Sequence, residues 1–201
     1  MSDMSAQTTE EASPQEQETT GSRLSWLRTP LIIAAILVLF AVTYGFAWRR
    51  AYTLSETFMQ NAQASFEQGD FVDALSGYDT YDEATGSYVF QGGYAQVVNI
   101  WNNSYAWPVP ATVEDAEQRI DEIINQHLTL ADAEGFIQAN TGRASPYLGA
   151  VYLRTGELYE QDDPRNAQEV YETIPELFPN QPELVEQAEE RLSRLEQGGQ
   201  P

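Results

Sequence analysis

The sequence predicts an all-α protein, in which one membrane-spanning helix precedes a stack of helical hairpins. Two observations lead to this prediction. The first is an uncharged segment, residues Leu31–Trp48, with the sequence LIIAAILVLFAVTYGFAW. The second is a pair of apolar patterns with helical spacing, in residues Phe58–Tyr81 and Gly149–Pro179, each divided by a turn.

The uncharged segment is long enough to cross a bilayer. At ~1.5 Å per helical residue it extends roughly 27 Å, close to the ~30 Å of a hydrocarbon core. Trp26 and Arg28 precede it and Arg49 and Arg50 follow it, and such residues are typical anchors at membrane interfaces. A buried core helix is seldom apolar on every face, and no small-residue cleavage site for a signal peptidase follows the segment. We therefore expect residues 30–50 to form a transmembrane helix.

The N-terminal residues 1–29 are predicted to be a disordered, acidic tail. Ser, Thr, Glu and Gln dominate residues 1–21, so this stretch buries too little apolar surface to offset its ordering entropy; a short linear binding motif is the alternative. The arginines on the two sides of the span are balanced, so they do not fix its orientation. The signal-anchor layout favours the inner (cytoplasmic) membrane, with the C-terminal domain on the periplasmic or extracytoplasmic side.

The domain predicted over residues 51–197 carries nearly all of the charge. From Ala51 onward there are 26 Asp plus Glu against 6 Arg, a net charge of −20. Such a surface repels nucleic acid and anionic lipid. The chain contains neither cysteine nor lysine, and its Arg-only, acid-rich composition is similar to that of proteins from salt-adapted bacteria. Residues 198–201 are predicted to be a disordered C-terminus.

Two alternatives remain open directly after the span. Thr53 and Glu56 fit a capping box, which would start a new helix just outside the membrane. An unbroken helix from Leu31 to Gln68 fits equally well, because no Pro or Gly follows Arg50 before the next turn.

The first apolar pattern predicts a helical hairpin. Gly69 and Asp70 separate its two stripes, and Gly69 can take the left-handed conformation that such a turn requires. Ala62 and Ala74 are small enough to let the two helices approach closely. The stripes consist of Phe58, Ala62, Phe66, Phe71, Ala74, Leu75 and Tyr78.

This pattern of aromatic, small and Gly-Asp positions resembles a tetratricopeptide repeat. A second copy lies in residues Gly149–Pro179, with its turn at Asp162-Asp163-Pro164. Residues Pro182–Gln197 are predicted to be an amphipathic helix of the kind that caps a terminal repeat. The residues at repeat positions in the second copy are Tyr152, Gly156, Tyr159, Ala167, Tyr171 and Pro179.

The residues between the two copies are also predicted to be helical. The copies start 94 residues apart, at Ser55 and Gly149, which is not a multiple of the ~34-residue repeat, so an insertion is expected around residues 86–111. The aromatic side chains of Trp101–Pro110 either fill the core or form an exposed binding loop. The predicted helices are Tyr88–Tyr105, one capped by Thr112 and Asp115 that reaches about Gln126, and one capped by Thr129 and Asp132 that reaches about Asn140.

Catalysis finds no support in the sequence, and we expect no enzyme activity. There is no Gly-rich phosphate loop, nucleophile elbow or cluster of metal ligands. The single histidine, His127, is expected at a helix C-terminus, where the helix dipole favours its charged form. We therefore predict no catalytic, cofactor-binding or metal-binding residues, no cofactor, no small-molecule substrate and no nucleic-acid partner.

In layout, the chain is similar to the ancillary subunit family of the Sec translocon. The segments Phe136–Asn140 and Ser145–Tyr147 resemble the linker between repeats in that family and in outer-membrane assembly and Tol-Pal coordinator repeats. The resemblance implies a membrane-anchored scaffold or accessory subunit in a bacterial cell-envelope complex. A permanent structural subunit without a client-binding role is the alternative.

The repeat resemblance also implies where a protein partner binds. In such repeats the first helix of each hairpin lines a concave groove. A merely solvated helix face is the alternative for these positions. The implied partner-binding residues are Gln60, Gln63 and Glu67 in the first copy and Arg154, Glu157 and Gln161 in the second.

Overall fold

The computed structural model describes residues 25–142 and 145–198. The predicted disorder of residues 1–29 and 198–201 lies largely outside the described residues; of these, residues 25–29 and Gly198 are described and are helical. The chain divides into two compact units, residues 1–47 and 48–201. The all-α prediction is confirmed, since the described residues form eight α-helices and only one small sheet.

The elements follow one another with short connections. Strands β1 (Tyr78–Asp82) and β2 (Ser87–Gln91) form an antiparallel hairpin between the second and third helices. A π-helical turn, Ile123–His127, directly continues the fourth helix. The helices are α1 (Ser25–Gln68), α2 (Phe71–Ser76), α3 (Tyr94–Trp101), α4 (Thr112–Glu122), α5 (Leu130–Asn140), α6 (Leu148–Asp162), α7 (Pro164–Leu177) and α8 (Pro182–Gly198).

The N-terminal unit contains the apolar part of α1. Within the described residues, α1 is the one helix long and apolar enough to cross a membrane, and its most apolar stretch is not buried within the protein. A membrane span and a signal sequence near the N-terminus both have this composition. No helix begins at Thr53: its hydroxyl donates a hydrogen bond to the carbonyl oxygen of Arg49 at 3.1 Å. The unbroken-helix alternative is therefore the one observed.

The second unit has two apolar clusters. The larger joins the C-terminal part of α1 to α2–α6 and includes Leu75, Tyr94 and Ile120, all completely buried. The smaller joins α7 and α8 around Tyr171 and Ile174. Each large side chain buried in this way stabilises the fold by about 1.5–3 kcal/mol relative to leaving it exposed.

The predicted second helix of the first hairpin is much shorter than expected. The helical interpretation of residues 77–91 is wrong, because α2 ends at Ser76 and the chain turns into the β-hairpin. Gly77 makes this turn with a φ of +75°, and a Cβ there would lie 2.3 Å from the carbonyl oxygen of Gln91. In the hairpin register Tyr78 pairs with Gln91 and Asp82 with Ser87.

The hairpin turn has a local explanation. One carboxylate oxygen of Asp82 accepts a hydrogen bond from the backbone N–H of Ala84 at 2.9 Å, and the other accepts one from the hydroxyl of Thr85 at 2.9 Å. Gly86 follows with a φ of +65°. An Asp at the start of a turn and a Gly with positive φ at its end close the connection between the strands.

The next two helices agree with prediction in different degrees. The helix predicted to be capped by Thr112 has Ala111 as its N-cap and no side-chain cap, and it passes into the π-helical turn instead of continuing as α-helix to Gln126. In that turn the N–H of Leu128 bonds to the carbonyl oxygen of Ile123 at 3.0 Å. The capping box of Thr129 and Asp132 is confirmed, with the Asp132 N–H donating to the threonine hydroxyl at 3.2 Å.

The aromatic residues of the segment Trp101–Pro110 divide between the two alternatives. Trp101 is buried, and its indole N–H donates to the hydroxyl of buried Ser55 at 3.1 Å. Tyr105 and Trp107 are exposed. One tryptophan therefore fills the core, while the remainder of the segment forms a surface loop.

Candidate partner-binding grooves

A charged concavity of the domain, here called the α6–α8 groove, lies between α4 with its π-helical turn, α6 and α8. Its volume is about 460 Å³. Apolar side chains line part of it, namely those of Ile124, Leu153 and Leu184. Its polar lining consists of Asp121, Asn125, Arg154, Glu157, Gln181, Glu183 and Gln187.

One stripe of α6 supplies a wall of this groove. Leu153, Arg154 and Glu157 follow Ala150 at intervals of three and four residues, which places them on one helix face. The guanidinium of Arg154 donates to the carboxylate of Glu157 at 3.0 Å. The wall is therefore held in place by a bond within α6.

Glu157 also joins α6 to α8. It accepts a second charge-assisted hydrogen bond from the Arg191 guanidinium, which in addition lies 3.5 Å from the carboxylate of Glu160. The side chains of Arg154 and Glu157 are only 22% and 19% exposed. A partly buried carboxylate between two arginines is a structural tie, because removing it would leave the cations without their partner.

Arg154 retains one unused donor in this groove. Its Nε–H is buried and has no hydrogen-bond partner among the described residues. A buried donor without a partner costs about 1–3 kcal/mol, and more in a charged group. The Nε atom has essentially no accessible surface, so an acceptor oxygen from outside could recover part of that cost only if the lining of the groove shifted.

A second concavity, the α1–α4 groove, lies between α1 and α4 and also has a volume of about 460 Å³. Its side chains largely satisfy one another. Gln63 accepts from the Tyr94 hydroxyl at 2.8 Å and donates to Glu67 at 2.9 Å. Arg119 donates to Glu122 at 2.7 Å, and this bond holds the pKa of the Glu122 carboxyl below its usual range. These polar groups already have hydrogen-bond partners within the domain, unlike the Nε–H of Arg154.

His127 lies next to the α1–α4 groove, where its ring packs mainly against aromatic side chains. Its ring stacks on Phe71 at a centroid distance of 4.4 Å and meets Phe66 edge-on at 5.4 Å. Its Nε2 lies 3.5 Å from a carboxylate oxygen of Glu122. The residue packs the end of the π-helical turn against α1 and α2.

The six residues predicted to bind a partner do not lie on one surface. Arg154 and Glu157 line the α6–α8 groove, and Gln63 lines the α1–α4 groove. The other three, Gln60, Glu67 and Gln161, are exposed and line neither groove.

Sequence reasoning did not find the groove residues of α4, the π-helical turn and α8. Asp121 and Asn125 precede the second repeat copy by more than twenty residues, and tertiary packing alone brings them opposite α6. The sequence predicts Gln187 only as part of an amphipathic capping helix. The available signal was the apolar stripe of α8, which includes Leu184 and Ala188 and had to face another helix.

The domain contains a titratable group that gives it a pH-dependent stability. Burial raises the pKa of Tyr147 to about 12, and the carboxylates of Glu117 and Asp121 add to the rise. In an unfolded chain a tyrosine loses its proton near pH ~10. Between about pH 10 and pH 12 the folded state therefore holds more protons than the unfolded state, so the free energy of unfolding falls as pH rises.

Tyr147→Phe is expected to reduce this alkaline loss. The measurement is the free energy of unfolding in urea at about pH 9 and about pH 11, for both proteins. The loss that remains is expected from the other tyrosines with a raised pKa, among them Tyr171, raised by burial and by its hydrogen bond to Glu160, and Tyr94, raised by burial. An identical fall in the two proteins would assign the whole effect to groups other than Tyr147.

The two grooves are thus formed by helices and lined by polar and charged side chains. Within residues 25–142 and 145–198, no group of three or more His, Cys, Asp or Glu is arranged to hold a metal ion. Comparisons of this chain with protein-family models, with curated proteins and with solved structures find no match.

Proposed function

We propose that this protein is a single-pass membrane-anchored scaffold or accessory subunit that binds a protein partner in the α6–α8 groove. Arg154 is the observation that carries the proposal, because it places a charged guanidinium in the wall of an open groove, while its Nε–H, buried behind that wall, lacks an acceptor within the described residues. The partner belongs to a bacterial cell-envelope complex in this proposal. Leu31–Trp48 is the anchor, in the inner membrane, and the domain is periplasmic.

The lining of the groove defines the chemistry of the segment that it would hold. A backbone carbonyl or side-chain amide oxygen would accept from Arg154. Apolar side chains would pack on Leu153 and Leu184. Asp121 and Glu183 lie at the rim and would favour a basic residue beside the apolar one. An extended segment or one face of a helix meets these requirements.

The groove can be tested by reversing its rim charge. The double change Asp121→Arg and Gln187→Arg is expected to lower the amount of partner that copurifies from detergent-solubilised membranes by about tenfold, because it replaces an attractive rim with a repulsive one. Both residues are exposed, so the melting temperature is expected to change little. Glu157 is unsuitable for this test, because its reversal would break the tie between α6 and α8.

The matched control is Gln168→Arg with Glu172→Arg. These residues lie exposed on α7, outside both grooves, and the double change alters the net charge by the same amount. Copurification should be unaffected in this control. An equal loss from both double variants would indicate general electrostatic attraction, and no loss from either would exclude the α6–α8 groove.

A further inference from the structure

We propose that the loop of residues 102–110, here called the interfacial loop, is a second membrane contact of this protein. In this proposal Tyr105 and Trp107 insert into the headgroup region of the bilayer that Leu31–Trp48 crosses. The inference rests on the proposed membrane anchoring. It adds a surface of the folded domain to the membrane attachment.

Charge is absent from the stretch of chain that includes this loop, although Glu117 of α4 lines a concavity together with Asn102 and Val109. Residues 84–113 contain no Asp, Glu, Lys, Arg or His, although the chain from Ala51 onward has a net charge of −20. Acidic residues elsewhere on the domain would be repelled by anionic headgroups and would lose hydration near any bilayer. The uncharged stretch is therefore the part of the domain that can approach lipid at the lowest cost.

The interfacial loop exposes large side chains. Tyr105 is 84% exposed, Trp107 77% and Val109 50%, so the loop carries its largest side chains on the outside of the fold. Tyr and Trp combine an apolar ring with a polar group, and they are enriched where a bilayer meets water. Pro108 and Pro110 stiffen the loop, which lowers the entropy lost when it is immobilised.

A hydrogen bond fixes this loop beside the end of the apolar segment. The indole N–H of Trp48 donates to the carbonyl oxygen of Pro108 at 2.9 Å. Trp48 also stacks on Tyr52 at a ring distance of 5.2 Å and meets Trp101 edge-on at 5.7 Å. The loop is thus hydrogen-bonded to an aromatic cluster that consists of Trp48, Tyr52 and Trp101.

The position of Trp48 in the chain sets the depth of the loop. Trp48 is the last residue of the uncharged segment, and Arg49 and Arg50 follow it. In a chain that spans the bilayer with this segment, Trp48 lies at the interface. A loop hydrogen-bonded to Trp48 lies at that interface too, which is why we assign its exposed aromatic rings to lipid headgroups and not to a protein partner.

The absence of cysteine allows a direct test in the full-length chain. Tyr105→Cys is labelled with an environment-sensitive nitrobenzoxadiazole probe, and the protein is reconstituted into phosphatidylcholine vesicles. We expect a blue-shifted emission that shallow brominated lipids quench and that aqueous iodide does not. Leu177→Cys is the matched control, since Leu177 is an exposed apolar residue at the end of α7, and its probe should respond to iodide alone.

A third variant separates the inference from the anchoring on which it rests. Val42→Cys lies within the uncharged segment, and its probe should be quenched by lipids brominated deep in the acyl chain. If the Val42 probe is quenched while the Tyr105 probe behaves like that at Leu177, the interfacial loop does not contact lipid but the anchor stands. Protection of the Tyr105 probe from both quenchers would mean that protein covers the loop, which also overturns the inference. An unquenched Val42 probe would overturn the anchoring itself.

Discussion

Replacing Ala74 with glutamate is expected to unfold the helical domain of residues 48–201. Ala74 is completely buried in the larger apolar cluster, so a longer side chain has no route to solvent there. The backbone of Ala74 also lies close to Gly93 at the start of α3, where an added Cβ would lie 2.6 Å from the Ala74 carbonyl oxygen. A carboxylate there would be buried without a hydrogen-bond partner or would force α2 away from α3. The expected loss exceeds about 4 kcal/mol, which is a large part of the stability of an ordinary domain.

Urea unfolding followed by helical circular dichroism measures this loss. Ala64→Glu is the matched control, because it makes the same chemical change at an exposed alanine of α1. Its effect should stay within about 0.5 kcal/mol. Equal effects at the two positions would contradict the close packing of α2 against α3.

Gly156→Ala is expected to lower the free energy of unfolding by about 1–3 kcal/mol. Gly156 is buried in α6, and a Cβ there would lie 2.3 Å from Cε1 of Tyr171. That ring cannot move aside easily, because it is buried and its hydroxyl donates to Glu160 at 2.6 Å. The clash outweighs the gain of up to ~1 kcal/mol that alanine brings to a helix interior.

Gly135→Ala is expected to raise the free energy of unfolding of the same domain, the opposite of the effect at Gly156. Gly135 is exposed in α5, and a Cβ there would meet no atom within 4 Å. Only the helix-propensity gain remains, so this variant should be more stable by about 0.5–1 kcal/mol. Thermal and urea unfolding of both variants give the comparison. A stabilised Gly156→Ala would mean that α6 and α7 are less tightly packed than the structure indicates.

The parts of the fold that were predictable from sequence are those that local interactions specify. The capping box of Thr129 and Asp132, the turn at Gly69 and the turn at Asp162-Asp163-Pro164 are read from residues within a few positions of one another. The helices of the C-terminal half followed from the same kind of signal.

The β-hairpin was missed because its first strand also fits a helical stripe. Tyr78 continues the spacing of Ala74 and Leu75, but Gly77 breaks the helix just before it. The positive φ of Gly77 depends on the close approach of Gln91, fourteen residues later. A local pattern cannot show that contact, although the alternating Thr and Tyr residues of β1 favoured a strand.

The candidate site was predictable only on the helix that carried the repeat pattern. Arg154 and Glu157 were identified from α6, whereas Asp121 and Gln187 enter the groove through tertiary packing. The role of Glu157 as a tie to Arg191, 34 residues later, was likewise invisible in the sequence. Exposed polar positions such as Gln60 cannot be distinguished from solvated helix surface by residue type alone.

The two strands of the sheet differ in how well they resist pairing with a second copy of the protein. Each strand of such a sheet has an outer edge of backbone groups that can pair with another chain. The charges of Asp79 and Asp82 disfavour pairing of another chain with β1. Strand β2 has the uncharged sequence Ser-Tyr-Val-Phe-Gln, with Tyr88 and Phe90 exposed. Long-range repulsion between the acidic domains is therefore what keeps β2 edges apart, and salt weakens it, since the screening length is only ~10 Å at 0.1 M. The colloidal stability of the concentrated protein is therefore expected to decrease as ionic strength increases, the reverse of ordinary salting-in.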